Sequence, residues 1–307
     1  MNKVTVVIPT YNLEKYVAQT LESVLSQTYS NLEVLVVDDG SKDSTLHIIR
    51  EYESKDPRVK VLSYGANKGP MYARQFALNE ATGDFVTFCD GDDILRNDYV
   101  ELLLQAMTPE IDMTIGQFTY VLESGKSVPY HIQSKLRYGN DRVNIFRSIL
   151  RNEIPQGLCC KLFRADVVKN SKIKIYENCT RGEDACVLFH YVDQIRKASI
   201  VDEEIYKYYQ RCSSSTNSFI PNYALDGICL TSSLRSVILS KYPDLKNDEY
   251  RYFQQNLINT LSGNCTKAYL LSSIKKNGLA RYCRPLSILR YSGLKQLLKY
   301  WLLKYKG

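Results

Sequence analysis

The chain has 307 residues, 44% hydrophobic and 24% charged, with a formal net charge of +7, a composition that suits a globular protein with one large core or two smaller ones. No run approaches the roughly 18 apolar residues that cross a bilayer. The run after Lys3 is too short for a secretory signal. Nine cysteines without Cys-x-x-Cys spacing fit reduced cytosolic thiols better than a disulfide framework or a zinc site.

Charge is unevenly placed. Residues 251–307 hold eleven Lys/Arg and no acid, which leaves the first 250 at −4 (29 basic against 33 acidic residues). A basic tail on a mildly acidic body suggests an anionic surface as partner. No nucleic-acid-binding signature accompanies it, so anionic lipid is favoured and nucleic acid is not expected.

In chain order, Val4 to Ile8 reads as an apolar strand stopped by Pro9. Leu13, Tyr16, Val17, Thr20, Leu21, Val24 and Leu25 follow helical spacing, with Asn12 placed as the cap. A second strand, Leu32 to Val37, ends in Asp38-Asp39-Gly40-Ser41. A helix over Ser44 to Tyr52, a strand over Val59 to Leu62 and a helix over Met71 to Glu80 follow. Phe85, Val86, Phe88 and Cys89 then read as a strand buried on both faces, ending in Asp90-Gly91-Asp92-Asp93. This alternation predicts an α/β fold with a doubly wound, mostly parallel sheet. Further on, helices are predicted at Tyr99 to Ala106, Asp141 to Arg151 and Ala185 to Ile195, and strands at Asp112 to Val121 and Ile200 to Tyr209. From Pro221 to Tyr269 the pattern is mainly helical.

The acidic strand ends carry the chemistry. In a doubly wound sheet the carboxyl ends of the strands share one edge, so Pro9-Thr10-Tyr11-Asn12, Asp38-Asp39 and Asp90-Asp92-Asp93 converge on one crevice. Asp accepts hydrogen bonds from a ribose hydroxyl or a base N–H, and Tyr11 offers a face for stacking. Alternation turns Asp38 away from Asp39 and gives it a structural part. Three close carboxylates shift one another's pKa unless a cation compensates, and hard oxygen donors on a loop suit Mg²⁺ or Mn²⁺. Neither a dinucleotide fingerprint nor a Walker-type phosphate loop follows the first strand.

These residues occur in an ordered set: Val7-Ile8-Pro9-Thr10-Tyr11-Asn12, Val36-Val37-Asp38-Asp39-Gly40-Ser41, Asn67-Lys68-Gly69 with Ala73-Arg74, and Asp90-Gly91-Asp92-Asp93. Lys161-Leu162-Phe163-Arg164, Gly182-Glu183-Asp184 and the run Tyr206 to Arg211 with Ser215-Thr216 complete it. Over about residues 3–217 the set resembles the inverting family 2 glycosyltransferases of GT-A fold. That resemblance implies a nucleotide-sugar donor, usually a UDP-sugar, and a divalent metal, Mn²⁺ or Mg²⁺, at a DXD-type motif. It places Thr10 and Asp39 on the nucleoside, with Pro9 and Tyr11 shaping the pocket. Arg74 would approach the diphosphate, Asp90 the ribose or a metal-bound water, and Asp92 would be the direct metal ligand. Asp184 matches the catalytic base, with Glu183 as its competitor. Inversion is one in-line displacement, needing a base on the acceptor side and charge neutralisation on the leaving side. Asp184 also suits a cap of the helix that follows it, and Arg74 also suits a solvated helix charge. Among the three histidines only His131 is a candidate for a further metal contact.

The domain organisation expected is a GT-A domain over 1–217, with a nucleotide-binding half (1–93) and an acceptor half (94–217), followed by a helical region over 218–307 with a basic amphipathic tail. Two departures from the family bear on the acceptor. Cys159-Cys160 stand where a large residue often precedes the Lys-Leu-Phe-Arg motif, and Gln210-Arg211 is followed by Cys212, without the Gln-x-x-Arg-Trp signature of processive synthases. The expectation is transfer of one hexosyl or N-acetylhexosaminyl group to a surface-glycan or lipid-linked acceptor. Leu294, Leu297, Leu298, Trp301, Leu302 and Tyr305 share one helical face beside Lys295, Lys299 and Lys306, which suits a bilayer interface as well as an ordinary packed helix. The tail points to a cytoplasmic protein, peripheral on the inner membrane face. The alternatives are a nucleotidyltransferase that makes the activated sugar, whose Gly-rich loop is missing after the first strand, and a binding subunit without catalysis.

Overall fold

The computed structural model describes residues 1–132, 140–171, 182–211, 232–261 and 274–283. Strands β1 (Val4–Thr10), β2 (Leu32–Asp38), β3 (Val59–Ser63) and β4 (Phe85–Phe88) alternate with helices α1 (Val17–Leu25), α2 (Thr45–Lys55) and α3 (Pro70–Glu80). The second half adds β5 (Ile94–Leu95), α4 (Tyr99–Gln105), β6 (Met113–Val121), β7 (Ser127–Tyr130), α5 (Arg142–Leu150), β8 (Lys161–Arg164), α6 (Ala165–Asn170), α7 (Glu183–Val192) and β9 (Ala198–Tyr209). Helical residues 232–239 (α8) and α9 (Lys246–Leu261) follow, then a short 3₁₀ helix, Leu279–Cys283.

All nine strands form one sheet in the order β3-β2-β1-β4-β8-β6-β9-β5, with β7 on β6. Its first four strands are parallel. β8 enters antiparallel between β4 and β6, while β9 runs parallel to β6. The α/β fold with a mostly parallel sheet is therefore the one predicted from the alternation, and its parallel half is the part where that alternation is strict.

Period-two patterning builds the two core layers. Val6, Ile8, Val34 and Val36 face α1, α2 and α4 in one cluster. Val7, Leu35, Val37, Val86 and Phe88 face α3, α5 and α7 in the other. Ile238, Leu239, Tyr252, Phe253 and Tyr282 belong to that second cluster, so the described C-terminal helices share its core.

One local expectation fails. Asn12 does not cap α1, which starts at Val17 after a turn closed by Leu13. Asn12 sits at φ 53°; its N–H donates to Ser41 Oγ at 3.0 Å and its Oδ1 accepts from the Lys42 N–H at 2.8 Å. The capping side chain is used instead to tie the end of β1 to the loop after β2. The amphipathic tail predicted over Leu294 to Tyr305 lies outside the described residues.

Candidate active site

The carboxyl ends of β1, β2 and β4 lie side by side, as their pairing requires. Two glycines let the loops there approach closely. A Cβ on Gly91 would stand 2.8 Å from Leu13 Cδ1 and 3.0 Å from the Pro9 carbonyl oxygen and Thr10 Cγ2, so the acidic turn packs directly on the end of β1. Gly40 has φ +76°, and a Cβ there would meet the Ala66 carbonyl carbon at 2.7 Å; this seats the loop after β2 against the 64–69 loop.

Asp39 organises that second contact. Its carboxylate accepts from the Tyr64 hydroxyl (2.6 Å) and the N–H groups of Lys68 (2.7 Å) and Gly69 (2.9 Å). Asp39 is buried, and the three donors compensate its desolvation. Its neighbour Asp38 accepts from the Ser41 N–H and the Ser63 hydroxyl, a structural part in keeping with the alternation argument. The Thr10 hydroxyl, also buried, donates to the Val37 carbonyl at 3.1 Å. Tyr11, by contrast, is 42% exposed at the mouth of the crevice, and Pro9 beside it is half-buried.

Arg74 joins residues distant in sequence. From α3 its Nη1 donates to Asp184 Oδ1 at 2.6 Å and its Nη2 to Asp90 Oδ1 at 2.8 Å. Burial alone would pull the guanidinium pKa down, but Asp184 and Asp90 outweigh it and raise it. Asp184 stands in the first turn of α7, behind Gly182 at the N-cap position, where the helix dipole favours a carboxylate. Burial raises its pKa and Asp90 adds to the rise; Arg74 and Lys161 work against both. Glu183, beside it and more deeply buried, is pushed up to about 7, first by burial and then by Asp184.

Asp92 makes a different ion pair. Arg211, just past β9, donates from Nε to Asp92 Oδ2 at 3.2 Å and from Nη2 to the Asp92 carbonyl at 2.9 Å. Its guanidinium lies 3.5 Å from the centre of the Tyr16 ring and 5.0 Å from that of Tyr209, a cation–π seat. Asp93, the last acid of the run, points inward, accepting from the Tyr206 hydroxyl at 2.6 Å and the Tyr209 N–H at 2.8 Å. The run therefore divides: Asp90 and Asp92 are partly open, with side-chain exposures of 30% and 25%, whereas Asp93 is a buried latch.

The donor set suits a divalent cation in a limited way. Burial and then Asp90 raise the pKa of Asp92; burial and then Asp90 and Asp92 raise that of Asp93. The carboxyls thus repel one another in spite of the Arg74–Asp90 and Arg211–Asp92 pairs, and a hard cation relieves that repulsion. Among the described residues no three Asp, Glu, His or Cys side chains converge on one point. An ion at Asp92 would keep most of its shell for water and phosphate, as Mg²⁺ commonly does. His131 instead lies 3.8 Å from Glu204.

Three contributors escaped the sequence reading. Lys161 is buried, donating to the carbonyls of Gly157 (2.7 Å) and Cys159 (3.5 Å) behind Asp184. Tyr64 holds Asp39, and Tyr16 seats Arg211. Lys161 lay within a recognised motif without a role; the two tyrosines had no local signal.

The family model for glycosyl transferase family 2 matches residues 5–171. The chain belongs to that family. Glycosyltransferase GlyA of Streptococcus pneumoniae is 35% identical over 155 residues, 50% of this chain and 22% of GlyA. An uncharacterized glycosyltransferase of Haemophilus influenzae is 31% identical over 198 residues, 62% of this chain and 77% of that one. Among solved structures, S. aureus TarS 1-349 in complex with UDP-GlcNAc superposes with a TM-score of 0.72 at 22% identity, covering 98% of this chain and 90% of that one. At that identity the likeness speaks for the fold, which is of GT-A type. The matched segment is about a fifth of GlyA, and no helix among the described residues is long and apolar enough to cross a membrane.

Proposed function

We propose that this member of family 2 transfers one sugar from a nucleotide-diphosphate sugar, a UDP-sugar, to a hydroxyl of a surface glycan or lipid-linked oligosaccharide, with inversion at the anomeric carbon. The observation that carries the reading is the crevice where the ends of β1, β2 and β4 meet α7. It brings residues of the nucleotide-binding half to a carboxylate more than ninety positions away, Asp184, through the Arg74 link. The UDP-GlcNAc bound by the structurally similar TarS supports the donor class.

In this reading Pro9, Thr10, Tyr11 and Asp39 frame the nucleoside. Asp39 does so partly by holding the Lys68 and Gly69 N–H groups in place, and Tyr11 by its open ring. Asp92 would hold Mn²⁺ or Mg²⁺ with Asp90 beside it; such a cation neutralises the charge that develops on the leaving diphosphate. Arg211 adds a second positive charge on that side. Asp184 takes the proton of the attacking hydroxyl, the arm of the reaction a positioned base accelerates by about 10²–10⁴-fold. The absence of Gln-x-x-Arg-Trp supports a single transfer over processive synthesis.

The test is turnover of a panel of radiolabelled nucleotide sugars with Mn²⁺, scoring both donor hydrolysis and transfer. Asp92→Ala and Asp184→Asn should each lower turnover by about 100-fold or more while circular dichroism stays native. Turnover of no donor by the parent chain, or turnover in Asp92→Ala and Asp184→Asn unchanged from the parent, overturns the reading.

A further inference from the structure

We propose that Arg74 is a positioning residue, holding Asp184 and Asp90 in fixed register from beneath, and that it does not touch the donor diphosphate. The inference rests on the reading of Asp184 as the base.

The geometry sets it apart from a phosphate-binding arginine. The Arg74 side chain is 8% exposed, while both carboxylates it holds are 30% exposed. The guanidinium therefore forms the floor and the carboxylates face the cleft. Each terminal nitrogen is spent on a different acid, one 110 and one 16 positions away. A planar guanidinium fixes the spacing of its two nitrogens, so the two acids inherit a fixed separation that a lysine could not impose. The remaining donor, Nε, is buried without a partner among the described residues. A buried ion pair with an unsatisfied donor is a poor stabilising device, which points to a functional reason for the arrangement.

The same contact governs proton affinity. Five groups bear on Asp184: Arg74 from α3, Asp90 from the turn after β4, Lys161 from β8, and Glu183 and Tyr191 from α7. Burial and Asp90 favour the protonated acid; Arg74 and Lys161 favour the carboxylate that a base must be. Loss of Arg74 leaves Lys161 and the α7 dipole on the favourable side.

The experiment compares the 307-residue parent chain with Arg74→Ala and Arg74→Lys, measuring UDP affinity by titration calorimetry and the pH dependence of donor-hydrolysis kcat. Arg74→Ala should leave UDP affinity within about twofold, lower kcat by about 100-fold at neutral pH, and move the acid limb of the profile up by about one pH unit. Added guanidinium should restore part of that loss, and Arg74→Lys, which keeps the charge but not the fork, should fall between the two. A drop of about tenfold or more in UDP affinity with kcat retained would place Arg74 on the donor and overturn the proposal. So would a kcat that falls equally at every pH in Arg74→Lys, the mark of a merely structural part. Loss of turnover in the parent chain would instead remove the base assignment itself.

Discussion

Glu183 and Asp184 are neighbours with the same functional group and opposite prospects. Arg74 holds Asp184 at 2.6 Å, whereas Glu183, the first residue of α7, is buried and reaches a pKa of about 7 against an ordinary 4.5. That value has a consequence for stability. Between pH 4.5 and about 7 the folded chain keeps a proton the unfolded chain has released, so stability falls as pH rises through this window and the full cost is present above it. Glu183→Gln removes the titration. It should stabilise the protein by about 1–3 kcal/mol at pH 8 and by little at pH 5, measured by urea unfolding; the same gain at both values would refute the account. The family resemblance names Asp184 as the base and Glu183 as its competitor at Gly182-Glu183-Asp184; the physical difference between them has no local signal, because the arginine that pairs with Asp184 is 110 residues away.

Among the elements, β4 and its turn carry a tight steric constraint at the site. The three contacts at Gly91 press the acidic turn onto the end of β1. Gly91→Ala forces that turn outward, which should cost about 1–3 kcal/mol of stability and weaken UDP binding about tenfold, with Asp90 and Asp92 both intact. Unaltered affinity in a calorimetric titration would show that the packing of the two loops is irrelevant to the nucleotide. The strand β4 was legible because four consecutive core positions have no other place than a strand with helices on both faces. β8 was not. Its four residues mix a buried lysine with two apolar residues and an arginine tethered to the Thr108 and Ile111 carbonyls, and such a segment takes its conformation from the strands on either side. Asn12 misled for a related reason: capping logic is local, and its hydrogen bonds go to a loop thirty residues away.

For the whole molecule, charge separation is the property most open to test. The body up to residue 250 is mildly acidic and residues 251–307 carry eleven basic side chains without an acid. Deleting 285–307 should abolish co-sedimentation with phosphatidylglycerol vesicles, and the parent chain's co-sedimentation should weaken as salt shortens the Debye length below about 10 Å. Equal pelleting of both forms would leave the tail without a role at lipid. The pattern from Pro221 to Tyr269 predicts helices but not where they pack. In the structure they complete the core layer of α5 and α7, a long-range outcome no window of residues contains.

The placement of β8 also bears on how such proteins can be recombined. β4 is flanked by β1 from the first 93 residues and by β8 from the far side of residue 160, and Asp93 latches onto Tyr206 and the backbone of Tyr209. A graft that exchanges one half at residue 93 therefore cuts through a shared sheet and an interlocked set of side chains. In an exchange with a relative, the transplanted segment has to bring its own partner for Asp93, its own seat for the arginine on Asp92, and a β8 that fits a borrowed β4.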